Sequence, residues 1–369
     1  MSNSAHALYV HIPFCEHICG YCDFTKMIYN PAWVDDYLLA LQQEIGARAI
    51  NPSDIKTIYI GGGTPSALNL KQLERLFVIL APYMASAVEK TIELNVENTN
   101  LEKLKLFKAQ GINRISIGVQ SFDDNVLKAC DRKHSGQEAL AALKLIKKCG
   151  FTNYSLDLIY GLPEQTQDLF LLDLKKVIAL DPPHVSLYSL TVNPGTLFSY
   201  RQVKEVSEDD SLSFYRLATS FLRKNGYERY EVSNFAKRGY YSQHNLTYWH
   251  NQHYYGVGLG ASGYIENNRY QNTRNLKKYL DGYYLGEVET ISQNDEIEYF
   301  LITNLRLQEG FLLTDFRQCF GVDFLEKFAH PLANLKSNNL VAVKDNRFFT
   351  TDEGTEKLNY VLLSLITIL

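Results

Sequence analysis

Long apolar runs, surplus positive charge and abundant cysteine are all missing from this sequence of 369 residues. No stretch approaches the roughly 20 consecutive apolar residues of a membrane-spanning helix. The longest, from Leu358 to Leu369, is shorter and is broken by Asn359, Ser364 and Thr367, so it reads as a buried last helix. Lys and Arg number 37 against 41 Asp and Glu, a formal net charge of −4, which disfavours nucleic-acid binding through bulk positive charge. The opening MSNSAHALYVHIPF lacks the basic start and apolar run of a secretory signal, and a cytoplasmic location is expected. Six cysteines in a chain of this size expected to be cytosolic are not a disulfide framework. Aromatics at 12% and hydrophobics at 46% exclude wholesale disorder and suit one large domain plus a smaller one.

What the sequence does hold is alternation. Short apolar, β-branched runs recur at Ala7–Pro13, Thr57–Gly63, Thr91–Glu97, Arg114–Ser121, Tyr154–Gly161 and His184–Thr191. Each is of strand length and nearly continuous in apolar residues, as in strands buried on both faces of a parallel sheet. Amphipathic stretches lie between them: Ala32–Ala49, with Val34, Leu38, Leu41 and Ile45 on one stripe, then Leu70–Tyr83 and Gly136–Cys149. This order predicts an α/β fold, either a barrel or a doubly wound sheet. Polar and glycine-rich segments follow the strands, and in such folds the ligand sits at the strands' carboxyl ends. One mouth should therefore gather them.

The pattern changes after about residue 225. Residues 240–290 read as a connecting segment, and residues 240–284 hold ten of the 25 tyrosines and three of the nine histidines. Residues 291–369 read as a separate module: helices at Glu296–Leu307, Leu313–Phe320 and Phe324–Lys336, a hairpin Leu340–Thr350 turning at Asp345-Asn346, and a last helix. Helices plus a hairpin suggest a winged helix, but 7 Lys/Arg against 11 Asp/Glu there argue against DNA as its partner.

The cysteines are unevenly placed. Cys130, Cys149 and Cys319 are scattered and read as small hydrophobes. Cys15, Cys19 and Cys22 form C-x3-C-x2-C directly after the first strand. Thiolates are soft ligands suited to zinc or iron–sulfur clusters. Three of them in one loop can wrap three corners of a [4Fe–4S] cluster and leave the fourth iron open to a chelating substrate. A zinc site completed by His17 competes, although structural zinc sites usually pair cysteines from two separated knuckles.

With Tyr21 before its last cysteine, on a six-unit α/β chain, this motif resembles that of the radical S-adenosylmethionine (SAM) superfamily. Longer stretches narrow the resemblance: LYVHIPFCEHICGYCDF (8–24), YIGGGTPS (59–66), IGVQSF (117–122), LDLIYGLPEQT (156–166) and HNLTYW (244–249). Together they resemble the oxygen-independent coproporphyrinogen III oxidase group, and within it the branch of HemW-type heme chaperones, across essentially the whole chain. The resemblance implies a radical SAM partial (βα)6 barrel over residues 1–239, followed by a C-terminal, mainly helical, winged-helix-like domain. It implies that Cys15, Cys19 and Cys22 hold a [4Fe–4S] cluster whose open iron chelates SAM. Gly62, Gly63 and Thr64 match the run along the methionine part of SAM, Tyr9 a contacting tyrosine, and Tyr21 a ring near the adenine. Glu93, Gln120, Arg132, Asp157 and Thr191 match further SAM contacts. Glu93 and Asp157 also interrupt apolar strands, and buried carboxylates need partners such as a SAM ammonium.

Two departures separate the chain from the oxidases. Phe24 stands where they carry another cysteine, and only 14 residues precede Cys15. HNLTYW, with His244, Asn245, Tyr248 and Trp249, implies heme binding, for which imidazole and flat aromatic rings are suited. His250 and His253 are alternative ligands. The competing reading is a packed connector in which His244 only hydrogen-bonds. The implied function is a heme chaperone serving heme-requiring clients such as respiratory enzymes or cytochromes, with no nucleic-acid partner and membrane contact only through clients. Its rivals are an anaerobic oxidase removing carboxyl groups from coproporphyrinogen III, and a zinc-stabilised interaction protein.

Overall fold

The computed structural model describes residues 5–369. Six parallel strands lie side by side in chain order: β1 (Ala7–Ile12), β2 (Thr57–Gly62), β3 (Glu89–Asn95), β4 (Arg114–Gln120), β5 (Tyr154–Tyr160) and β6 (His184–Ser189). All six fall within two residues of the runs read from the sequence. The two faces of these strands differ, which the apolar runs did not suggest. Leu8, Val10, Ile58, Ile60, Ile92, Ile115, Ile117, Leu156, Leu158 and Val185 alternate onto the outer face and join the main core. The inner face carries Tyr9, His11, Tyr59, Glu93, Ser116 and Asp157, so the sheet is aliphatic outside and polar inside.

Helices α1 (Pro31–Ala47), α2 (Leu70–Met84), α3 (Leu101–Ala109), α4 (Gly136–Lys148), α5 (Gln167–Leu180) and α6 (Glu208–Lys224) cover the aliphatic face. Their starts are fixed locally. Asn30 caps α1 ahead of Pro31, and capping boxes Asn69/Gln72 and Ser135/Glu138 open α2 and α4. The stripe Val34, Leu38, Leu41 and Ile45 is buried as expected. Glu44 is buried with it, accepting hydrogen bonds from Tyr279 Oη (2.7 Å), Asn272 Nδ2 (2.6 Å) and the Gly258 N–H (2.8 Å). A buried carboxylate satisfied this fully ties α1 to a segment over 200 residues away.

That segment does more than connect. After β6, short strands β7 (Glu228–Arg229) and β8 (Asn234–Ala236) close one side of the sheet. Helix α7 (Gln243–Trp249) follows, and then β9 (Tyr254–Val257) pairs parallel with β1 at the opposite edge. Antiparallel β10 (Ser262–Ile265), β11 (Asn268–Asn272) and β12 (Leu285–Thr290) extend it, giving a sheet of twelve strands among the described residues. Four of the ten tyrosines of this segment, Tyr254, Tyr255, Tyr264 and Tyr270, thus belong to a sheet edge.

The C-terminal region has its own aromatic core around Phe300, Phe311, Phe316, Phe324 and Phe348. The expected helix Phe324–Lys336 is broken at Phe328 into Phe324–Lys327 and Ala329–Ser337. The hairpin turns at Asp345 and Asn346, both with positive φ, as a tight two-residue hairpin requires. Arg229 to Asp352 (2.9 Å) and the Arg306 guanidinium over the Trp249 ring (4.5 Å) fasten this region to the barrel. Among the described residues no helix is long and apolar enough to cross a membrane.

Candidate cofactor site

The cysteine loop is pinned at both ends. Phe14–Cys15 and Met27–Ile28 pair as two short parallel strands, with Met27 N–H donating to Pro13 O and Tyr29 N–H to Cys15 O, each at 2.8 Å. Within the loop, Cys22 N–H donates to Cys19 O, and Gly20 is held by Phe198 N–H (2.8 Å). The result presents all three sulfur-bearing side chains to one cavity of about 480 Å³. Among the described residues no three His, Cys, Asp or Glu side chains gather around a point for a single metal ion.

The glycine run presses against this loop. A Cβ on Gly63 would lie 2.7 Å from the Pro13 carbonyl carbon and 3.0 Å from Cys15 Sγ. Gly62 has φ +113°, and a Cβ there would meet the His11 ring at 2.5 Å. Thr64 Oγ1 donates to Cys15 Sγ (3.5 Å) and accepts from Asn95 Nδ2 (3.1 Å). Burial pushes the Cys15 thiol up to about 12, against the opposing pull of Thr64, and raises that of Cys22 as well. Sulfurs this poorly solvated become thiolates readily only when a metal supplies the compensating charge.

The strand ends complete the walls. Glu93 accepts from Tyr59 Oη (2.8 Å) and the Gly62 N–H (3.0 Å). Burial raises its carboxyl to about 7, the two hydrogen bonds oppose that, and the nearby Asp157 adds to it. Asp157 is also raised by burial, and Ser116 and Ser155 donate to it at 2.7 and 2.8 Å. Arg132 is buried, donating to Gly118 O (2.7 Å) and, at 3.4 Å each, to Cys19 Sγ and Asn95 Oδ1. Gln120 has φ +68°, and among the described residues its buried Oε1 has no hydrogen-bond partner and Arg132 Nε is likewise unpaired. Tyr21 sets its ring edge-on to Phe198, and Thr191 stands exposed at the lip.

Tyr9 is placed elsewhere. It lines a neighbouring cavity of about 370 Å³ with His11, Phe24, Tyr248, Tyr254 and Arg274, which meets the first cavity at Asp23 and Phe24. The structure thus brings together all the expected cysteine and SAM residues except Tyr9.

The HNLTYW motif sits at the opposite, amino end of the strands. His244 is fully buried, with Nδ1 bonded to Thr57 Oγ1 (2.9 Å) and Nε2 to Tyr248 Oη (2.7 Å). Both ring nitrogens are thus engaged within the protein, as in a packed connector, and iron ligation by His244 would require one of these two hydrogen bonds to be given up. Burial lowers its pKa to about 3, keeping it neutral. Its backbone N–H donates to Glu89 (2.9 Å), and Ser242 caps α7 at Asn245 N. Trp249 stacks under Arg306 and serves the C-terminal junction, with no place in either cavity wall. Of the motif, Tyr248 alone lines one of these two cavities.

The radical SAM superfamily model matches residues 9–176, and the HemN C-terminal domain model residues 291–355. The chain is 38% identical to heme chaperone HemW of Lactococcus lactis over 98% of its own length and 97% of that protein's. It is 36% identical to heme chaperone HemW of Bacillus subtilis, over 94% of this chain and 95% of that one. The chain belongs to the HemW heme chaperone family. Among solved structures, coproporphyrinogen III oxidase (HemN) from Escherichia coli, described as a radical SAM enzyme, superposes with a TM-score of 0.86 at 28% identity. That match covers 100% of this chain and 91% of the oxidase.

The radical SAM superfamily implies a [4Fe–4S] cluster and SAM, and the residues of this HemW-family chain fit both. Three soft donors face one cavity, the glycine run leaves room beside Cys15 that any side chain would fill, and a buried amide oxygen and a guanidinium nitrogen lack partners among the described residues. Sequence reasoning missed Asn95, which joins Thr64 to Arg132, and Tyr59 and Ser116, which hold the two carboxylates. Position on the strands' inner face was the signal that could have found them.

Proposed function

We propose that this protein is a cytoplasmic heme chaperone that carries a [4Fe–4S] cluster and SAM and delivers heme to heme-requiring proteins. The observation that carries the reading is the near full-length match to heme chaperones at 38% identity. In this reading Cys15, Cys19 and Cys22 hold the cluster, which when bound offers an open iron to the amino and carboxylate groups of SAM and a source of one electron. Glu93 accepts a hydrogen bond from the SAM amino group, and Gly62, Gly63 and Thr64 let the backbone approach the methionine part. Gln120, Arg132 and Asp157 orient the remainder, with Tyr21 near the adenine and Thr191 at the lip. Arg132, beside Cys19 Sγ, also steadies the negative charge of that thiolate.

The full-length superposition on an oxidase supports a second reading, turnover of coproporphyrinogen III. Phe24, in place of a cysteine, speaks against it. The deciding experiment is anaerobic incubation of cluster-loaded protein with SAM, reductant and coproporphyrinogen III, with a heme titration alongside. Saturable heme binding without product is expected. Formation of protoporphyrinogen IX, or no heme binding by the wild type, overturns the proposal.

A further inference from the structure

We propose that the second cavity, beside the cysteine site, is where the tetrapyrrole docks, with its face on the aromatic walls and a carboxylate paired with Arg274. This rests on the heme-chaperone reading and gives the cargo a location distinct from the buried imidazole of His244.

The walls are aromatic. Tyr248 and Tyr254 meet edge-to-face at 4.5 Å, and Tyr9 lies beside them. Tyr9 Oη is bonded to His11 Nδ1 (3.0 Å) and His11 Nε2 to Thr25 O (2.7 Å), so His11 braces the wall with both nitrogens engaged. Phe24 stands at the lip common to both cavities and is 63% exposed, a phenyl ring with one face available to a flat ligand. Arg274 is exposed, and among the described residues its guanidinium makes neither hydrogen bond nor ion pair. Asp23, the carboxylate at this rim, is bonded to Asn193 Nδ2 (2.6 Å). Flat apolar walls beside an unpaired cation match a planar macrocycle that carries carboxylates.

The size of the cavity fits a carrier better than a permanent holder. Tight sites enclose 70–90% or more of a ligand's surface, whereas about 370 Å³ takes only part of a tetrapyrrole and leaves an edge open to a client. Recognition through rings and a carboxylate does not need the iron. Iron-free protoporphyrin IX should therefore obey the same rules as heme.

The test titrates cluster-loaded protein with heme, protoporphyrin IX and the dimethyl ester of each. Arg274→Gln should weaken binding of both free acids about fivefold, as expected for loss of one partly solvated ion pair, and leave the esters unchanged. Phe24→Ala should weaken all four ligands about tenfold through lost ring contact. Lys278→Gln, a neighbouring exposed cation, should change nothing, and circular dichroism checks folding. Free acids bound equally by wild type and Arg274→Gln, or esters bound by the wild type as tightly as acids, overturn the proposal while the chaperone reading stands. Absence of heme binding by the wild type overturns both.

Discussion

Lowering the pH through 7 should weaken SAM binding by way of Glu93. Its carboxyl sits on the inner face of β3, faced by Tyr59 on β2 and Asp157 on β5, and burial raises it to about 7. Only the ionised form offers both carboxylate oxygens as acceptors to the amino group of SAM. With a midpoint near 7, Glu93 is about nine-tenths ionised at pH 8 and about one-tenth at pH 6, so apparent affinity should fall nearly tenfold across that interval. The sign for folding is opposite. A carboxyl raised in the folded state favours the proton, so its stabilising contribution is full below the ordinary carboxylate range, is lost as pH rises to about 7, and is flat beyond. SAM should therefore raise Tm more at pH 8 than at pH 6. The assay is anaerobic calorimetric titration of SAM into cluster-loaded wild type and Glu93→Gln at pH 6, 7 and 8. The variant should bind weakly with little dependence on pH. A wild type whose affinity is flat over this range, or a variant that keeps the slope, refutes the reasoning.

Three further outcomes follow from the same geometry. Serine at Cys15, Cys19 or Cys22 should each reduce iron from about four per chain to near zero, whereas Cys319→Ser, at an exposed site, should retain it; iron analysis decides. Gly63→Ala places a methyl 2.7 Å from the Pro13 carbonyl carbon. It should cost about 1–3 kcal/mol, read as a lower Tm, and slow cluster reconstitution. His244→Ala removes a fully buried ring with two hydrogen bonds and should destabilise the fold by about 2–4 kcal/mol. Its heme affinity, measured well below the Tm, should fall only in part, through the Tyr248 wall that the ring braces, and a complete loss would restore the imidazole as a ligand.

The sheet was legible because short apolar, β-branched runs alternate with helices whose apolar residues recur every third or fourth position, both local signals. Tyr59 shows where that legibility ends. Between Ile58 and Ile60 it extends an apolar run, yet its hydroxyl turns inward to Glu93. Tyrosine reads as apolar by composition and acts as polar by position. The cysteine site was legible as a motif, because three ligands lie in one loop and the glycine run announces a close approach. Asn95 gave no such signal, since its worth comes from Thr64 and Arg132 in loops far from it in sequence.

His244 shows the limit most plainly. As a sequence element, a histidine among aromatic residues suits heme. The partner that decides its chemistry is Thr57, 187 residues away, and nothing local to HNLTYW encodes that pairing. In the folded chain the motif acts on the site from behind. The His244 ring packs 5.2 Å from the ring of Tyr59, whose hydroxyl holds Glu93, and Tyr248 passes from His244 into the wall of the second cavity. One buried histidine therefore braces both the carboxylate assigned here to SAM and the wall assigned to the tetrapyrrole. That arrangement gives the motif a positioning role at two ligand sites without requiring it to touch iron, and it accounts for why the imidazole is kept neutral and fully hydrogen-bonded.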